Sequence, residues 1–152
     1  MTVTLARAAL DDILAHARAT HPDECCGAVL SIGGRDVVRR FTNIQSRLHE
    51  EDPVANPRDA RTAYSPEPRE LLAAIRDGEV PGSQLKIFYH SHTKVGAYFS
   101  GEDRARAMFG DDPAYPDVVY LVVSDGRTPG EARTFQWDEV SRDFAEVTLE
   151  VR

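Results

Sequence analysis

His90-Ser91-His92 is followed, after seven residues, by Ser100-Gly101-Glu102-Asp103. Side chains two apart on an extended strand point to one face, so His90 and His92 present their imidazoles to the same side. A carboxylate arriving from the start of a following helix can complete a set of three donors that leaves a coordination position open. Open three-ligand sites are the ones hydrolytic metal centres use. A purely local role also fits the second half: Ser100 as N-cap, with Glu102 and Asp103 in the first turn, stabilises a helix start. The two readings are compatible, because a capped helix start is a rigid place from which to project a ligand.

Hydrolysis at such a centre needs a group that takes and returns a proton. The run His21-Pro22-Asp23-Glu24-Cys25-Cys26-Gly27 supplies carboxylates where a helix has ended and an apolar strand begins. On residue type alone Asp23 and Glu24 are equal candidates, and both suit a solvated acidic turn.

The surrounding periodicities say what positions these groups. Val3 to Leu5 reads as a short opening strand, and Ala9, Leu10, Ile13, Leu14 and Ala17 recur at helical spacing over Arg7 to Thr20, stopped by His21-Pro22. Cys26 to Ile32 is β-prone and ends at Gly33-Gly34, with Val37 to Phe41 as hairpin partner. Glu70 to Arg76 predicts a helix closed by Gly78, and Leu85 to His92 a buried strand running into the histidine pair. Ser100 opens a helix through Met108. Val118 to Ser124 predicts a central strand, and Arg133 to Trp137 and Val147 to Val151 two closing antiparallel strands. Hairpins interleaved with helices predict a mixed sheet rather than a doubly wound parallel one. Asn43 to Pro68 stands apart, with four prolines and few large apolar residues; so long a connection is functional or mobile.

Composition narrows the function classes. The 152 residues are 41% hydrophobic and 28% charged, the balance of one soluble domain. Twenty-five acidic against eighteen basic residues leave a net charge of −7, which argues against nucleic acid and anionic membranes as partners, apart from a local basic patch at Arg58, Arg61 and Arg69. No run approaches membrane-spanning length, and no export signal opens the chain. The only cysteines, Cys25 and Cys26, are adjacent and cannot staple distant segments, so a reduced, cytoplasmic protein is expected.

Pro-x-Glu-x-Cys-Gly over residues 22–27, then His-Ser-His-x7-Ser-x-x-Asp over residues 90–103, resembles the JAMM (MPN-plus; Mov34/MPN/PAD-1) zinc metallopeptidases, and among them the small prokaryotic branch. The likeness follows motif and element order through most of the chain. It implies a single JAMM/MPN domain over residues 1–152. It also implies an α/β (α+β) fold of cytidine-deaminase-like architecture, with a curved mixed β-sheet, flanking helices and one catalytic Zn2+. Position by position, His90, His92 and Asp103 match the zinc ligands. Glu24 matches the general acid/base, which decides between it and Asp23, and Ser100 matches the residue that helps stabilise the oxyanion. Cys26 matches a frequent Cys-Gly, where packing is the expected role, and Cys25 is ranked as packing ahead of any redox function. His16, His21 and His49 fall outside every pattern and are expected at the surface. Many members carry proline after the second histidine. Thr93 stands there in this chain, so the loop bordering the cleft, and with it substrate preference, is expected to differ.

The resemblance further implies hydrolysis after the extended C-terminal tail of a ubiquitin-like protein. In bacteria the counterpart is a sulfur-carrier protein (ThiS/MoaD-like) ending in Gly-Gly, or its amino-acid adduct. The long segment from Arg47 to Pro66 lies where the family has an insertion beside the cleft, and is expected to order against such a tail by adding a strand. Two rivals come from other classes: a zinc amidohydrolase acting on a small molecule, and a catalytically silent scaffold that binds ubiquitin-like folds. The second conflicts with the full ligand set. Oligomeric state is left open, and a homodimer is compatible with the sequence.

Overall fold

A computed structural model describes all 152 residues. Thr2–Leu5 (β1) leads into Arg7–Thr20 (α1), and Cys26–Ile32 (β2) turns through Gly33-Gly34 into Arg35–Phe41 (β3). Gln45–Glu51 (α2) and Pro68–Gly78 (α3) precede the long strand Ser83–His92 (β4). Gly101–Ala107 (α4) is followed by a small hairpin, Met108–Phe109 (β5) and Asp112–Pro113 (β6). Val119–Ser124 (β7), Ala132–Asp138 (β8) and Asp143–Val151 (β9) complete the chain.

Seven strands form one mixed sheet in the order β1-β9-β8-β7-β4-β2-β3. β4 runs parallel to β7 and β1 parallel to β9, while the other neighbours are antiparallel. The α+β expectation of a mixed sheet with helices against it therefore holds. β7 is buried at every residue, as its unbroken apolar run requires, and it lies directly beside the strand that carries the histidines.

Alternation along the strands divides the core in two. Val29, Ile87, Tyr89, Leu121 and Val123 face α1, which contributes Leu10, Ile13 and Ala17 from one stripe. Cys26, Ala28, Leu30 and Phe41 face the other way and pack with Ala74 and Leu71 of α3. Because Tyr89 points toward α1, its neighbours Phe88, His90 and His92 point to the α3 side. Gly27, the strand partner of Tyr89, is required there: a Cβ would run into the Tyr89 ring and the Arg39 carbonyl oxygen.

Some expectations change in detail. The Asn43–Pro68 stretch, expected to be functional or mobile, holds α2 and a dense set of hydrogen bonds. Leu48 is the only large apolar residue of α2, so no stripe announced it; buried polar contacts of Gln45 hold it instead. α3 starts earlier than its apolar spacing suggested, since Pro68 occupies the first turn and the Glu67 side chain accepts from Glu70 N at 2.9 Å. His16 is buried rather than exposed, and shares a 2.7 Å hydrogen bond with the Tyr89 hydroxyl. His21 is exposed as expected and pairs with Asp125 at 3.0 Å, while the half-buried His49 bonds to the Asn56 carbonyl oxygen.

Candidate metal centre

His90 and His92 sit at the end of β4, clamped between β2 and β7, with Cys26 and Val122 as the strand partners of His90. Ser91 points the opposite way and is fully buried. Its Oγ accepts from Cys25 N at 2.8 Å, and its own N–H donates to the Cys25 carbonyl oxygen at 3.1 Å. The middle residue of the motif thus ties the histidine strand to the segment that carries Glu24.

Asp103 is the third residue of α4, and its placement follows from the helix cap. Ser100 Oγ accepts from Asp103 N, and Asp103 Oδ2 accepts from Ser100 N, each at 3.0 Å. This reciprocal box fixes both side chains at the helix start. Asp103 Oδ1 lies 3.0 Å from His90 Nε2, and Oδ2 lies 3.1 Å from His92 Nε2. All three groups are buried, and their ligating atoms fall within 4.8 Å of one another.

Two features show that this donor set fits a cation. His90 Nε2 is buried and makes no hydrogen bond of acceptable geometry, despite its nearness to Asp103. His92 Nδ1 donates to the Gly96 carbonyl oxygen at 2.9 Å, which in a neutral ring leaves a lone pair on Nε2 facing a carboxylate oxygen. Two facing acceptors need a proton or a metal ion between them. Burial pushes the Asp103 carboxyl up, but His90, His92 and the Ser100 amide outweigh it and hold the group well below the usual carboxylate range. It is therefore an anion, as a ligand must be.

Glu24 lies in the same cleft, in the turn between α1 and β2, and is only 6% exposed. Its N–H donates to the Ala60 carbonyl oxygen at 2.7 Å, and its carbonyl oxygen accepts from Asn43 Nδ2 at 2.9 Å. Burial pushes its carboxyl up to about 8; His92 and nearby arginines pull it down and Asp103 adds to the rise. Asp23 is half-exposed and does not line the cleft. Ser100 lines it, with its oxygen accepting from Asp103 N and its hydroxyl hydrogen free to donate.

Cys25 and Cys26 are both buried free thiols, one in each half of the core. Burial pushes Cys25 up to about 11 and Cys26 higher still, so neither is a ready thiolate. Arg58 and Arg61 line the cleft, whereas Arg69 lies exposed on α3 outside it.

Spacing did not reveal the supports. The Tyr64 ring stacks on His90, and Arg106 donates to both Ser65 Oγ and Gln45 Oε1 at 2.7 Å. These join residues far apart in sequence, and no local pattern marks them.

The profile of the family described as prokaryotic homologs of the JAB domain matches residues 6–138. The chain is 34% identical to a desampylase of Haloferax volcanii over 131 residues, 82% of this chain and 83% of that one. It is 32% identical to the CysO-cysteine peptidase of Mycobacterium tuberculosis over 112 residues, 74% of this chain and 66% of that one. A Desulfitobacterium hafniense protein solved in solution shares the fold, with a TM-score of 0.72 at 23% identity over 100% of this chain and 93% of that one. A JAB1/MPN domain protein from Archaeoglobus fulgidus matches with a TM-score of 0.53 at 19% identity, over 98% of each chain. The sheet that carries His90 and His92 is thus one shared with JAB1/MPN proteins, and the chain belongs to the small prokaryotic branch of the JAB (JAMM/MPN) domain family.

Proposed function

We propose that the chain is a zinc-dependent peptidase that hydrolyses the amide bond after the Gly-Gly tail of a ubiquitin-like or sulfur-carrier protein, inside the cytoplasm. As a member of this family it is an enzyme of the JAMM metallopeptidase class. The observation that supports the reading is one cleft holding a buried His-His-Asp donor set beside a carboxyl raised to about 8. His90, His92 and Asp103 hold the ion, which when bound supplies Lewis-acid activation of water and of the scissile carbonyl.

The chain's own residues do the rest. Glu24 takes a proton from the attacking water and returns it to the leaving nitrogen. Its burial and the nearby Asp103 favour the neutral form while His92 and the arginines favour the anion, so it can change state near neutral pH. Ser100, anchored by the helix cap, offers its hydroxyl hydrogen where negative charge develops on the carbonyl oxygen. The Gly96 carbonyl oxygen holds the His92 ring so that Nε2 faces the donor set. The two cysteines next to Glu24 in sequence point into the core, so neither thiol is placed to attack a substrate in the cleft.

The test is a side-by-side assay of a carrier-protein fusion and small amides with zinc-loaded protein, together with Glu24→Gln. The expected result is cleavage of the fusion at the Gly-Gly junction, with Glu24→Gln retaining zinc and losing turnover. Near-normal activity in that variant, or exclusive turnover of small amides, overturns the proposal.

A further inference from the structure

The chain carries a net charge of −7, yet three cations ring its cleft: Arg58 and Arg61 from the segment after α2, and Lys94 from the loop after β4. The only acidic side chains lining that cleft are Glu24 and Asp103. A divalent ion on the donor set would offset both carboxylates even with each of them ionised, which leaves the three rim cations uncompensated. None of the three forms an ion pair within the protein. Their charged ends are exposed, and the one hydrogen bond among them is a long one, from Arg58 Nη1 to the Thr62 carbonyl oxygen at 3.4 Å.

Their backbones, in contrast, are held. The Arg58 carbonyl oxygen accepts from Gln45 Nε2 at 2.9 Å, and Arg61 N donates to Asp59 Oδ1 at 2.9 Å. Thr93 Oγ1 donates to the Arg61 carbonyl oxygen at 3.1 Å and so joins the two loops that bear the cations. Thr93, directly before Lys94 in the chain, is therefore the residue that ties Arg61 and Lys94 to the same rim.

We propose that Arg58, Arg61 and Lys94 form a carboxylate-binding subsite that reads the leaving group of the substrate. A tail ending in Gly-Gly carries no side chain next to the scissile bond, so the carboxylate nearest to it is the α-carboxylate of an attached amino acid. The preferred substrate is then a carrier whose C-terminus is joined to the α-amino group of a single amino acid, not to a lysine side chain of a folded protein. This rests on the function proposed above and names its substrate class. An acidic side chain upstream in the carrier tail presents the same chemistry from the other side of the bond, and amidating the leaving group separates the two sources.

The experiment compares a carrier–Gly-Gly–amino acid adduct with the same adduct amidated at its C-terminus. Both are assayed with zinc-loaded enzyme and with the Arg61→Gln/Lys94→Gln double variant. Binding of each adduct to Glu24→Gln is measured by calorimetry. Charge-assisted contacts of this kind predict about a tenfold lower kcat/KM and a similarly weaker Kd for the amide. The preference should shrink in high salt and fall to within about twofold in the double variant. Equal cleavage and equal binding of acid and amide overturn the subsite while leaving the peptidase reading intact. A preference that survives in the double variant also overturns it. Failure of the zinc-loaded enzyme to cleave either adduct overturns the functional reading, and the subsite with it.

Discussion

The Tyr64 ring lies flat on the imidazole of His90, centroids 4.5 Å apart and planes 21° from parallel, and the Arg106 guanidinium carbon lies 5.6 Å from the Tyr64 ring centroid. The His90 Nε2 makes no hydrogen bond, so its ring is held by packing, against Tyr64 on one side and the His92 ring at 5.2 Å. Tyr64 therefore takes the orienting part that the Gly96 carbonyl oxygen plays for His92. Tyr64→Ala should weaken zinc binding by roughly tenfold, the lower end for groups that orient a ligand. Tyr64→Phe should keep most of the affinity. Competition with a chromophoric chelator measures both, and equal affinity in Tyr64→Ala and the unaltered protein refutes the role.

Ser100 caps α4 and, in the proposed mechanism, also donates to the developing oxyanion; two substitutions separate the roles. Ser100→Ala loses the cap and should cost about 1 kcal/mol, whereas Ser100→Gly should cost only a few tenths. Both lack the hydroxyl, so both should lower kcat by about a hundredfold. Thermal melts with zinc bound and steady-state kinetics on the same two proteins give the comparison. Activity that tracks the melting temperature instead would reduce Ser100 to a structural cap.

Asn43 connects the segment after β3 to Glu24, the proposed proton-transfer group. Its amide nitrogen donates to the carbonyl oxygens of Glu24 and Ala63, and its Oδ1 accepts from Gln45 N and Ser65 N. Asn43→Ala leaves buried partners unsatisfied and should cost about 2 kcal/mol, or about 5 °C in Tm for a chain of this size. Displacing Glu24 by a fraction of an ångström should lower kcat more than KM rises. A large stability loss with unchanged kcat would show that the segment braces the fold without positioning Glu24.

How much of this could be read from residues alone follows from the range of each interaction. Cys26–Ile32 and Arg7–Thr20 were legible to the residue, because burial imposes a period on consecutive positions and turn-formers end each run. The His90, His92 and Asp103 grouping was legible because a strand and a capped helix start convert short spacings into geometry. Tyr64, Asn43, Gln45 and Arg106 were not. They act through polar or aromatic contacts between residues far apart in sequence, 19 for Asn43 to Glu24 and 61 for Gln45 to Arg106, and such contacts leave no periodic trace. The parallel pairing of β1 with β9 was hidden for the same reason, since it joins the two ends of the chain.

His16 was read as a surface residue, and its burial gives the protein an acid-sensitive point away from the metal centre. Burial lowers its pKa to about 4, and the Arg40 cation on β3 adds to the fall while Asp12 on α1 opposes it. On the β4 side it meets the Tyr89 hydroxyl, which keeps its proton throughout this range. With a folded pKa below the unfolded value of 6.5, the unfolded chain takes up the proton first as pH falls. The contribution is thus intact above pH 6.5 and is lost progressively toward pH 4, after which this group adds no further slope. The total is about 3 kcal/mol. Denaturant unfolding of the metal-free protein and of His16→Gln, compared from pH 7.5 to pH 4, should show a gap between the two curves that changes in this window alone. Parallel curves would mean that His16 ionises as freely in the folded protein as in the unfolded chain.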